Sequence, residues 1–74
     1  MKNLIDILVP IPASSKFKDW TALDLSRFNS DTKMWQALIW VTKNVNSDEF
    51  SYSFHTNVLY IRDPKQASLL VLSV

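Results

Sequence analysis

Seventy-four residues, 47% hydrophobic, with a formal net charge of +1 and neither cysteine nor glycine, exclude several classes of protein at once. Disulfides and thiolate zinc sites need cysteine, and the single histidine, His55, excludes a multi-histidine metal centre. P-loops, dinucleotide fingerprints and glycine-rich phosphate cradles bring bare backbone against a ligand, and the balanced charge lacks the basic excess of a dedicated nucleic-acid binder.

This length predicts one domain over residues 1–74, with a core small enough that a staple or a partner surface is expected. The apolar runs are too short to span a bilayer. Asp6 and the prolines interrupt any signal-peptide stretch, so a soluble cytoplasmic protein is expected. Leu4 to Val9 is apolar on nearly both faces and stopped by Pro10 and Pro12, which predicts a central strand with Ile5, Ile7 and Val9 on one side. Ala13 to Lys16 then leaves the sheet. From 17 to 29 the apolar residues Phe17, Trp20, Leu23, Leu25 and Phe28 fit neither a period of 2 nor one of 3.6. An ordered loop held down by aromatics is expected there, with at most a helical turn over Asp19 to Ala22.

Ser30 is a helix cap, Asp31 suits the positive helix end, and Met34, Leu38, Val41 and Val45 recur at helical spacing. An amphipathic helix over 31–45 follows, with Asn44 or Asn46 in the left-handed position that glycine usually takes. Phe50 to His55 alternates strictly, and Val58 to Arg62 is a second strand. A two-residue turn at Thr56-Asn57 would pair Phe54 with Leu59 and Tyr52 with Ile61. Asp63-Pro64-Lys65-Gln66 starts a helix, read as short, to about Ser68, before a closing strand Leu69 to Val74. The fold class is therefore α+β on the ferredoxin-like split βαβ plan: a four-stranded antiparallel sheet, first and third strands central, with one long and one short helix on one face.

Trp35-Gln36-Ala37-Leu38-Ile39-Trp40, the Phe/Tyr hairpin and the run from Tyr60 to Leu72 resemble small uncharacterised proteins of tailed bacteriophages. The resemblance covers about residues 31–74 and implies a viral accessory or host-takeover protein acting in the host cytoplasm. It carries no catalytic residue.

The chemistry-bearing residues have ordinary explanations. His55 with Ser53 and Asp6 or Asp63 has no nucleophile elbow and no glycine to open an oxyanion hole. Asp19, Asp24 and Asp31 with Ser30 match no calcium-loop spacing. No catalytic residue, metal, cofactor or small-molecule substrate is assigned. Leu4, Leu8, Val58, Tyr60, Leu69 and Val71 would instead form an apolar patch on the sheet side without helices, a face that monomers rarely leave bare. The expected function is a non-enzymatic protein–protein interaction module, homodimeric through that open face or bound to a host or viral protein. Trp20 and Trp40 are alternative anchors, since Trp35 and Trp40 leave the long helix on opposite flanks. The alternative is a weak single-stranded nucleic-acid binder using residues 16–43, where Lys16, Lys18, Arg27, Lys33 and Lys43 interleave with Phe17, Trp20 and Phe28. No membrane role is inferred.

Overall fold

The computed structural model describes the backbone of residues 4–74 and the side chains from Asp6 onward. Two helix caps frame it. Ser30 is extended, and its Oγ accepts the Lys33 N–H at 3.3 Å. Asp63 Oδ1 accepts the Lys65 N–H at 2.9 Å, with Pro64 opening the first turn, where a missing N–H costs nothing. A helical turn α1 (Leu4–Ile7) and a two-residue strand β1 (Leu8–Val9) come first. Strand β2 (Thr21–Asp24), a 3₁₀ turn (Leu25–Phe28) and helix α2 (Asp31–Asn44) follow, then β3 (Phe50–Ser53), β4 (Val58–Ile61) and α3 (Pro64–Ser73).

The sheet is antiparallel throughout in the order β1-β2-β4-β3, with α2 and α3 packed on one face. This is the α+β arrangement expected, and it fits a ferredoxin-like plan. One change of connection separates it from the standard chain order. The run β2-α2-β3-β4-α3 follows the plan, and the remaining edge strand is supplied from before it, by β1.

Three predicted elements move accordingly. Leu4 to Val9 is not a central strand. Its first half winds into a turn that delivers Ile7 to the core, and Pro10 and Pro12 leave only Leu8 and Val9 to pair at the edge. The central partner of β4 is β2, drawn from the stretch that read as loop. Ala22 and Leu23 are both buried there, on opposite faces, so four residues carry a strand with no alternation to announce it. Finally, Leu69 to Val74 does not turn back into a strand, because α3 continues to Ser73. Ala67, Leu70, Val71 and Val74 recur at i, i+3, i+4 and i+7, and that stripe packs on the core despite the branched residues in it.

Ile7, Leu23, Leu25, Val41, Leu59, Ile61 and Leu70 are fully buried, with Ala37 and Ala67 where helices lie close to their neighbours. No polar side chain is buried among the described residues. Among the described side chains, the core is therefore held by hydrophobic burial, with the backbone ladders of the sheet running through it.

The hairpin departs from its predicted register by two residues. Ser53 faces Val58, Tyr52 faces Leu59 and Phe50 faces Ile61, which leaves a four-residue turn, Phe54 to Asn57. A shift of two keeps every strand side chain on its own face, so Tyr52 still looks toward the helices. It also ejects Phe54 from the strand. Asn57 explains the choice. It takes the left-handed conformation (φ 59°), and its N–H donates to the Ser53 carbonyl at 2.8 Å. Its carbonyl accepts the Leu25 N–H at 2.9 Å, and its Oδ1 accepts the Tyr52 hydroxyl at 2.9 Å. Asn29, which closes the 3₁₀ turn, is the other positive-φ residue among those described (φ 56°). Neither Asn44 nor Asn46 takes that role. Helix α2 ends instead on Val45, extended and buried, while Asn44 Nδ2 donates to the Trp40 carbonyl at 2.9 Å.

Candidate functional site

The sheet face away from the helices carries Ala22, Asp24, Val58 and Tyr60 by register. At Tyr60 it is covered by Phe17 of the chain's own β1–β2 connection. Turns in that connection are closed by Ser15 N–H to the Pro12 carbonyl (3.0 Å), Lys18 N–H to Ser15 (3.2 Å) and Trp20 N–H to Phe17 (2.8 Å). They set Phe17 flat on Tyr60, centroids 4.5 Å apart and planes 16° apart, and Trp20 edge-on to Phe17 at 4.9 Å. Lys16 Nζ lies 5.1 Å from the Phe17 centroid. Ala22 and Val58 of the same face are buried.

The six residues expected to form an open-face patch are therefore not brought together. Val58 is buried and Tyr60 is half-covered by Phe17. Val71 is in the core and Leu69 projects outward, both from α3 rather than from a strand. Leu8 is partly exposed at the β1 edge, and the Leu4 side chain lies outside the described residues. Of the alternative anchors, Trp20 is half-buried against Phe17 and Trp40 packs on the core. The rings of the basic and aromatic region are likewise engaged within the chain: Phe28 is buried, and Phe17 stacks on Tyr60. Arg27 pairs with Asp24 at 3.4 Å and donates to the Asp6 carbonyl at 3.4 Å. Asp24 itself caps the 3₁₀ turn through the Ser26 N–H at 3.1 Å, which gives that aspartate a structural task. His55 is exposed in the hairpin turn.

Besides Leu8, the exposed large apolar side chains among the described residues are Leu69 and Leu72 of α3 and Trp35, Ile39 and Phe54 at the α2–hairpin flank. Trp35 is 66% exposed and Phe54 83% exposed, and they flank a cleft of about 200 Å³. Met34, Trp35 and Leu38 of α2 wall one side and Tyr52, Phe54 and Asn57 the other, with Asp31 at the rim. Two local features build it. The α2 core stripe runs through Ala37, Val41 and Val45, so Met34 and Leu38 are half-buried at its border and Trp35 lies beyond them. Across the gap, the Tyr52–Asn57 hydrogen bond fixes the Tyr52 ring, and Phe54 meets it edge-on at 5.0 Å, planes 78° apart. Ile39, one turn beyond Trp35 on the same side of α2, is half-exposed and extends the apolar rim.

The sequence marked Trp35 as one of two opposed helix tryptophans. The neighbouring Ala37 was the available sign that the Trp40 flank, three residues on, is the one that packs. Phe54 was hidden by the two-residue turn assumed for it. No helix among the described residues is long and apolar enough to cross a membrane. Comparison with protein-family models, with curated proteins and with solved structures finds no match to this chain.

Proposed function

We propose that this protein is a non-enzymatic protein-binding module whose contact surface is the cleft between α2 and the hairpin turn. The exposure of Trp35 and Phe54 on either side of an apolar cleft carries the reading. Large aromatic side chains are the commonest anchors of protein interfaces, and here two of them border a recess lined by Met34, Leu38 and Tyr52. Both rings lie mostly in solvent, outside the buried core. A viral accessory role, which the likeness of residues 31–74 implies, is part of the same proposal.

Photo-crosslinking residues introduced at positions 35 and 54 test the reading in producing cells. Adducts of defined mass are expected from both positions, and none from controls at Ser26 and Gln66. Adducts that form equally at all four positions, or only at the controls, would contradict it.

A further inference from the structure

The two edges of the sheet differ in a way that selects a partner. The β1 edge is two residues long and is followed by Pro10 and Pro12, which cannot donate to a new strand. The β3 edge, Phe50-Ser51-Tyr52-Ser53, has no proline, no charge within the strand and no bulge in its register with β4. Arg62 N–H donates to the Glu49 carbonyl at 2.9 Å, which makes Glu49–Arg62 a hydrogen-bonded pair. By antiparallel alternation Ser51–Tyr60 and Ser53–Val58 are hydrogen-bonded pairs too. The N–H and C=O groups of Phe50 and Tyr52 therefore point away from β4, toward the free edge. Those same residues face the helices, opposite Ile61 and Leu59.

We infer that the cleft's partner is a second copy of this chain, joined by antiparallel pairing of β3 with β3 about a two-fold axis at Ser51. The inference rests on the cleft being the contact surface, and it names the occupant. In this register Phe50 of each copy exchanges two backbone hydrogen bonds with Tyr52 of the other, and aromatic side chains lie across from each other on the helix side. Asp48 and Glu49 fall opposite Phe54 and Ser53, so no like charges meet, and a net charge of +1 gives little repulsion between copies. A stable dimer needs about 800 Å² from each partner, about a sixth of this chain's 5016 Å². Three paired residues do not reach that area alone. The cleft wall formed by Tyr52 and Phe54 is at the same edge, and Trp35 and Ile39 supply the adjoining apolar rim. The pairing continues the sheet into eight strands and gives a small core the staple its composition lacks.

Ser51 provides the test, because across the proposed interface it faces the Ser51 of the other copy. Sedimentation equilibrium is expected to show a wild-type dimer. Ser51→Lys and Ser51→Glu should each weaken it about tenfold at low salt, through like charges directly opposite. An equimolar mixture of the two variants should recover wild-type affinity. Far-UV circular dichroism checks that both variants fold. A wild-type monomer at high concentration overturns the inference, while crosslinking from positions 35 and 54 to another protein would still uphold the cleft. A dimer weakened by Trp35→Glu but indifferent to Ser51→Lys and Ser51→Glu overturns the edge pairing and retains the cleft. A dimer indifferent to all three overturns both.

Discussion

Leu59→Ala should cost about 3 kcal/mol of folding free energy, whereas Phe54→Ser should change it by less than about 0.5 kcal/mol. A two-residue hairpin turn would make these side chains cross-strand partners with the same surroundings. In the structure Leu59 is fully buried between the sheet and the helices, and Phe54 is 83% exposed in the turn. Removing a buried leucine forfeits its transfer free energy and leaves a cavity that neighbours only partly fill. A chain of this size has about 4–11 kcal/mol of total stability, so the Leu59 loss is a large fraction of the whole. Urea denaturation at concentrations low enough to keep the chain monomeric checks it: the midpoint should fall sharply for Leu59→Ala, with an unchanged slope, and stay in place for Phe54→Ser. Equal losses in the two variants would mean that the register is wrong.

Phe17→Ala should cost about 2 kcal/mol, which combines a half-buried ring's apolar area with its stacking on Tyr60. For a domain of this length that corresponds to a melting point lower by about 8–16 °C. The variant also separates two ideas about the sheet face. If the 10–20 connection is a permanent cover, its loss destabilises the monomer, and Tyr60 becomes accessible to a fluorescence quencher. If the face is an interface for another copy, clearing Phe17 from it should instead leave stability nearly unchanged and strengthen self-association. Thermal denaturation and sedimentation of the one variant give both readouts.

What the sequence made legible follows from how local each signal is. Ser30 and Asp63 announced their helices because a cap acts within three residues, and Asp63-Pro64 is unambiguous without any tertiary context. The hairpin was found from alternation, and its faces were right although its register was not, because a two-residue slip preserves which side each residue occupies. The slip itself depends on Asn57 accepting the left-handed conformation while serving Tyr52 and Leu25, and Leu25 is distant in sequence. Strand β2 was invisible for a similar reason. Ala22 is buried beside Tyr60, its cross-strand partner, on the face where Phe17 stacks, so its burial is a property of the assembled sheet. The extent of α3 was a contest between branched side chains and a core stripe, and the stripe prevailed.

The site follows the same division. A small core without disulfides was readable from 74 residues without cysteine, and the opposed placement of Trp35 and Trp40 was readable from helical spacing. The sheet face away from the helices reads as bare as long as residues 10–20 have no place. With Phe17 of the 10–20 connection stacked on that face, the exposed aromatic rings that border a cleft are at the α2–hairpin flank.

That relocation is the central claim, and chemical shifts followed over a dilution series test it most directly. Self-association at the flank predicts concentration-dependent shifts at the Trp35 indole N–H, at Ile39 and along Phe50 to Phe54. Phe17, Ala22, Val58 and Tyr60 should remain in place. Shifts confined to Phe17, Val58 and Tyr60, with the Trp35 indole unmoved, would contradict the account.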